Sequence, residues 1–164
     1  MSINKSVKTM DTVSVKGKII KIEPGAYYEG RTYDQHVFFE VSLGKIIDIF
    51  DWKMLLRPEW VGKDVALTLL LFVSRVERIA DEIYDICPNP NVPNSTEYHC
   101  FSGRITAIDD NHKELVVDIG VGSVLVDPVD DRPFEKWSFS IGEFIRSCPS
   151  RVDLVDVIGH DRDS

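Results

Sequence analysis

Hydrophobic and polar residues alternate in short segments along this chain, with the period of two that is typical of β-strands. Val37, Phe39 and Val41 alternate with Phe38 and Glu40, so the first three would point to one face of a sheet. Clusters of proline, glycine and asparagine separate these segments and predict turns. The pattern therefore predicts an all-β fold.

Two parts of the chain repeat one another. Residues 15–23 (VKGKIIKIE) reappear as residues 101–109 (FSGRITAID), and residues 73–77 (VSRVE) reappear as residues 149–153 (PSRVD). Internal repeats of this kind indicate two copies of one structural unit. We therefore expect one small β unit to form twice.

The first strand of each copy changes phase in the middle. The shift falls between Ile19 and Ile22 in the first copy, and between Ile105 and Ile108 in the second. Because one extra residue or local coiling of a strand produces such a shift, the sequence predicts a β-bulge or a coiled strand at the same place in both copies.

Each copy is predicted to contain three strands, then a short helix or loop, then two more strands. In the first copy a helical turn is expected at residues 51–56, before Pro58, and one long, sharply bent strand at residues 65–79. This order of elements resembles the OB-fold, a five-stranded Greek-key barrel. A pair of SH3-like barrels is the alternative.

The resemblance to the OB-fold implies two similar five-stranded OB-like Greek-key barrels in tandem. The first would occupy residues 1–86 and the second residues 98–164. Residues 87–97 contain three prolines and three asparagines, which predicts a semi-stiff linker. Trp60 and Trp137 hold matching positions in the two copies and are expected in the cores.

A further resemblance is to the molybdate-binding OB subtype. Its repeats also begin with a strand that contains a glycine, as at Gly17 and Gly103, and close with a polar turn that leads into a Val-x-Leu strand, as at Ser150–Leu154. The Ser-Ala-Arg-Asn stretch usual before the first glycine is absent here. This resemblance implies small-oxyanion binding at the joint between the repeats.

The loop between the first two strands is long and aromatic, and it contains Tyr27, Tyr28, Arg31, Tyr33 and His36. Its acidic residues Glu23, Glu29 and Asp34 offset the charge of the lone arginine. Loops at this place in OB-folds bind single-stranded nucleic acid, with bases stacked on aromatic rings. The alternative is that the tyrosines cap the barrel or pack on the other domain, with their hydroxyls in water. The second copy has only a short acidic turn there.

The net charge of −8 is unevenly distributed, because residues 87–164 carry 7 basic and 14 acidic residues. This balance disfavours phosphate backbones; it either suits a basic protein partner or simply keeps the protein soluble. Asp130 and Asp131 in an acidic loop, and the unrepeated Trp52, are the candidate contacts. The main prediction is thus a non-enzymatic, inhibitor- or immunity-like protein; nucleic-acid binding through the first copy is the alternative.

Three cysteines, Cys87, Cys100 and Cys148, are present without a recognisable signal peptide, which favours a reduced, cytoplasmic protein. Cys100 or Cys148 is expected as a buried thiol, and a Cys87–Cys100 disulfide would need an oxidising compartment.

No paired ligands suggest a metal site, no motif suggests a cofactor or catalysis, and no segment is long enough to span a membrane.

Overall fold

The computed structural model describes residues 13–42, 44–73, 76–89, 99–109, 114–128 and 139–158. Within these ranges the secondary structure is β apart from one 3-10 turn, Pro58–Trp60, so the predicted all-β class is confirmed. The strands are β1 Val15–Pro24, β2 Tyr27–Tyr28, β3 Arg31–Thr32, β4 Gln35–Ser42, β5 Lys45–Asp51, β6 Asp64–Val73, β7 Val76–Arg78, β8 Asp85–Pro88, β9 His99–Asp109, β10 Glu114–Asp118, β11 Ser123–Pro128, β12 Phe144–Ser147 and β13 Arg151–Ile158.

Five of the strands close a barrel. Strand β1 pairs antiparallel with β4, and β4 pairs antiparallel with β5. Strand β13 lies between β5, to which it is parallel, and β6, to which it is antiparallel. Strand β6 pairs antiparallel with β1 and completes the circle. A closed five-stranded barrel of this kind is compatible with an OB-like fold.

The barrel contains strands from both halves of the chain. Its fifth strand is β13, near the C-terminal end, while β7, which occupies the same place in the first repeat, pairs with β12 of the second. Each copy thus places its last strand against the fourth strand of the other copy. The barrel therefore combines four strands from residues 1–86 with one strand from residues 98–164, and the domain boundaries stay a prediction. Residues 90–97, most of the predicted linker, lie outside the described residues.

Strand β6 is the centre of the molecule. Its N-terminal part pairs with β1 and its C-terminal part pairs in parallel with β11, while β13 lies along the other edge. Leu67, Leu69 and Leu71 are all fully buried. A nearly continuous apolar run is typical of a strand covered on both faces, which explains the sequence DVALTLLLFV. The long bent strand expected at residues 65–79 corresponds to β6 and β7, which have different partners.

Both predicted β-bulges are present and occupy the same repeat position. In β1 the register against β4 skips Ile20, and in β9 the register against β10 skips Thr106. Gly17 and Gly103 also match: a Cβ atom on either would overlap a backbone carbonyl oxygen, that of Glu40 or of Asp118. Only glycine permits this close approach of neighbouring strands.

The predicted helical turn at residues 51–56 is wrong in position. The 3-10 turn begins at Pro58, whose missing N–H is no loss in a first turn, and it contains Trp60, buried as predicted. Residues 51–56 form an irregular turn instead, because the Asp51 carboxyl accepts hydrogen bonds from the backbone N–H groups of Leu55 and Leu56, both at 2.9 Å. Trp137 lies outside the described residues.

The expected thiols at Cys100 and Cys148 are also corrected, because these two residues form a disulfide. The neighbouring strands β9 and β12 bring them together, with a Cα–Cα distance of 4.2 Å across 48 residues of sequence. Cys87 is the free cysteine.

In the described part of the chain, no helix has the length and apolar character needed to cross a membrane.

Candidate functional site

The loop between β1 and β4 folds as an ordered hairpin of β2 and β3. Its turn residues, Glu29 and Gly30, both have positive φ (51° and 77°), which matches the two-residue turn that fits the twist of a hairpin. Asp34 holds the base of the hairpin: its carboxyl accepts a hydrogen bond from the Ala26 N–H at 2.7 Å, and its carbonyl accepts one from Gly25 at 2.9 Å. The hairpin is therefore built into the fold.

This hairpin presents three tyrosines to solvent. Tyr27, Tyr28 and Tyr33 are 70%, 65% and 48% exposed, so they do not cap the barrel. The guanidinium of Arg31 lies over the ring of Tyr33, 5.5 Å from its centroid. Four of the residues predicted from sequence, Tyr27, Tyr28, Arg31 and Tyr33, thus lie together on the β2–β3 hairpin.

The other two described candidates, His36 and Trp52, lie at the same end of the β4–β5 pair as the hairpin. Gln35, which follows the hairpin, is paired with Asp51, which precedes Trp52. His36 is opposite Phe50, with ring centroids 5.6 Å apart, and its Nδ1 is 2.9 Å from the Asp48 carboxyl. Trp52 is 52% exposed. Asp130 and Asp131 lie outside the described residues.

Arg151 of β13 extends this face of the barrel. Its guanidinium lies over the rings of Phe50 and Phe72, 5.2 Å from each centroid, and it donates two hydrogen bonds to the Asp153 carboxyl, at 2.6 and 3.0 Å. We define the aromatic surface as the hairpin side chains together with this face. Its members are Tyr27, Tyr28, Arg31, Tyr33, His36, Phe50, Trp52 and Arg151.

Two clefts flank Arg151. The smaller, of about 100 Å³, lies where the repeats meet, between His36 and Asp48 of the first and His99 and Ser150 of the second. The larger, of about 510 Å³, is mainly apolar and is lined by Trp52 and Phe72, among others. Arg151 was not among the site residues predicted from sequence, although its place in the repeated Ser-Arg-Val motif could have indicated it.

Charges around the aromatic surface nearly balance. The basic residues are Arg31, Lys53 and Arg151, and the acidic residues are Glu29, Asp34, Asp48 and Asp153. Arg151 is already held by Asp153, and Lys53 lies 5.0 Å from the ring centroid of Trp52. No group of three or more metal-ligating side chains suited to an ion occurs within the described ranges. The surface is thus aromatic and close to neutral.

His99, in the smaller cleft, is partly buried. Burial lowers the pKa of its imidazole, and the positive charge of Lys45 lowers it further. Because the unfolded chain then binds a proton more readily than the folded chain, protonation favours unfolding. Neutral His99 is the form that fits the cleft.

We expect this histidine to make the fold less stable in mild acid. As the pH falls below about 6.5, the ordinary pKa of histidine, the free energy of unfolding should decrease. Urea denaturation at pH 7.5 and 5.5 measures the decrease, which should be smaller in His99→Gln. If the free energy of unfolding decreases equally in the wild-type protein and in His99→Gln, then His99 is not the group responsible.

No family model matches this chain, and the search of curated proteins returns no match. The class of protein is therefore defined by its fold, a closed five-stranded β-barrel compatible with an OB-like fold.

Proposed function

We propose that this chain is a non-enzymatic binding protein that docks a protein partner on the aromatic surface. The observation that carries the proposal is the hydrogen-bonded hairpin that exposes Tyr27, Tyr28 and Tyr33 to solvent at the end of the β4–β5 pair where Trp52 is also exposed. Tyrosine, tryptophan and arginine are the residues that dominate protein interfaces, because they offer large contact areas with few rotatable bonds. Because backbone hydrogen bonds already hold the hairpin, its backbone loses little entropy when a partner binds.

Charge favours a protein over nucleic acid as the partner. Binding to a phosphate backbone depends on unpaired lysines and arginines, whereas Arg151 is held by Asp153 and acidic residues surround the hairpin. The net charge of −8 favours a basic protein, which would be attracted over long range. The acidic loop of Asp130 and Asp131 is proposed to contribute to that attraction.

The experiment is capture of the partner from the native host, followed by calorimetry with single variants. Tyr28→Ala and Trp52→Ala should each weaken binding by about 2 kcal/mol, or roughly thirtyfold. Tyr84→Ala is the matched control, because Tyr84 is also exposed (46%) but lies outside the aromatic surface, beside Phe144. Equal effects of Tyr28→Ala and Tyr84→Ala, or the absence of any captured protein, would contradict the proposal.

Single-stranded nucleic acid is the second candidate, and the position of the hairpin favours it. The loop between the first two strands is where OB-like barrels bind oligonucleotides, and each stacked base contributes about 1–3 kcal/mol. A thymidine oligonucleotide at low salt would quench the tyrosine fluorescence if this candidate were correct, and would leave it unchanged if the surface binds protein.

Oxyanion binding between the tandem repeats has less support. The smaller cleft lies at the proposed joint, but its lining includes the Asp48 carboxyl, and Arg151 is bound by Asp153. A carboxylate repels an anion, and burial favours the uncharged form of His99.

A further inference from the structure

The three cysteines of the chain lie in one row across the sheet. Strand β9 runs between β8 and β12, and Cys87 of β8 is directly opposite Cys100 of β9. On the other side of β9, Ser147 is paired with Phe101, and the next residue, Cys148, is bonded to Cys100. Cys100 therefore has one cysteine neighbour on each side.

Cys87 and Cys100 are positioned for a disulfide of their own. Residues directly opposite in an antiparallel pair point to the same face of the sheet, with Cβ atoms about 4.5–5.5 Å apart. The Cα separations of such pairs, about 4.5–5.5 Å, lie within the range that disulfides bridge. Cys87 and Cys148, by contrast, are two strand spacings apart, roughly 9–10 Å, which is beyond that range.

We propose that this row is a thiol–disulfide exchange site in which Cys100 alternates between Cys148 and Cys87. The Cys87 thiolate attacks the Sγ atom of Cys100, the Cys87–Cys100 bond forms, and the Cys100–Cys148 bond breaks. The electron pair leaves on the Cys148 sulfur, which takes up the proton that Cys87 lost. One disulfide and one thiol are present before and after, so the step needs no oxidant or reductant.

The geometry supports an in-line displacement. Cys87 and Cys148 lie on opposite sides of β9, with Cys100 between them. The Cys87 sulfur can therefore approach Cys100 from the side away from the leaving Cys148 sulfur, as an in-line displacement requires. The pairing of β8 with β9 holds the attacking Cys87 thiol beside the disulfide bond. Cys100 is fully buried there and Cys87 is partly buried. This preorganisation replaces a bimolecular encounter with an intramolecular one.

The exchange changes what is attached to the closing strand of the barrel. Cys148 is exposed and precedes Pro149 and β13. In one isomer the disulfide ties this segment to β9; in the other, β9 is tied to β8, and an exposed Cys148 thiol stands beside the smaller cleft. That thiol would react with low-molecular-weight disulfides or with a cysteine-containing partner, whereas the Cys87 thiol is less accessible.

The first experiment traps the free thiol in the oxidised wild-type protein. A pulse of N-ethylmaleimide is followed by cleavage after glutamate, which places Cys87, Cys100 and Cys148 on separate peptides, residues 83–97, 98–114 and 144–164. At pH 8.5 the label should divide between Cys87 and Cys148, and the linked peptide pair 83–97/98–114 should be found.

Three serine variants provide the matched controls. After mild oxidation, Cys148→Ser should contain no free thiol, since Cys87 pairs with Cys100, and Cys87→Ser should contain none, since the original bond remains. Cys100→Ser should contain two, because Cys87 and Cys148 are too far apart to join. Thiols are counted after denaturation, and urea melts confirm that each variant is folded.

Two outcomes would overturn the proposal. One is label on Cys87 alone at pH 8.5 in the wild-type protein; the other is a folded Cys148→Ser variant that keeps two thiols after oxidation. The wild-type measurement stands without the variants, so an unfolded variant does not prevent a decision.

Discussion

Asp51→Ala is expected to lower the free energy of unfolding by about 3–5 kcal/mol, because it removes the acceptor for three hydrogen bonds around a buried site. The Asp51 side chain is fully buried and accepts from the Leu55 and Leu56 backbone N–H groups and from the Gln35 side chain, at 2.8–2.9 Å. Gln35 also donates to the Leu56 carbonyl at 2.7 Å, so the site joins β4, β5 and the following turn. Urea denaturation measures the loss.

Two variants test whether the hydrogen bonds cause this loss. Asp51→Asn keeps one acceptor oxygen and should have an intermediate effect. Asp48→Ala is the matched control, because Asp48 lies on the same strand but points outward and contacts His36; it should cost less than about 1 kcal/mol. A loss of similar size in Asp48→Ala and Asp51→Ala would show that the buried site has no special role.

A chain that ends at Ser150 is expected to lose cooperative unfolding altogether. It lacks β13, so the barrel is left open between β5 and β6. Burial of Val152 and Leu154 alone contributes about 3–6 kcal/mol, a large part of the stability of an ordinary domain. Circular dichroism during a thermal melt would show a broad, weak transition.

The control for this truncation is a chain that ends at Ile158. It keeps all of β13 and should melt at nearly the same temperature as the full chain. A peptide of residues 148–164, added in trans, should restore a sharp transition to the shorter chain. If the chain that ends at Ser150 melts like the full chain, then β13 does not close the barrel in solution.

The features predictable from sequence were those set by local pattern. Alternation along residues 37–41 correctly predicted which side chains of β4 are buried, because a strand has two faces whatever its neighbours are. The β-bulges at Ile20 and Thr106 were predictable because an extra residue shifts the phase of the apolar positions. The aromatic character of the loop was visible from residue type, but the exposure of its tyrosines was not, because tyrosine rings also fit against the end of a barrel.

Pairing between the repeats was not predictable in this way. Strands β7 and β13 begin with similar sequences, so by local criteria either could complete the barrel; the choice is made by long-range packing. The Cys100–Cys148 bond was missed for the same reason, since it joins residues 48 positions apart. From sequence, Arg151 was interpreted as part of a polar turn. Its contacts with the rings of Phe50 and Phe72 could not be foreseen, because these residues belong to strands that are distant in sequence.

Leu67 of β6 has Val15 of β1 opposite it on one edge and Val157 of β13 on the other. The beginning of the first described strand and the end of the last are therefore only two strand spacings apart, roughly 10 Å. The described part of the backbone therefore ends close to where it begins. A short glycine-rich bridge could join these two points, and a new opening at the Glu29–Gly30 turn would leave every barrel strand intact, so we expect a circular permutant opened at that turn to fold.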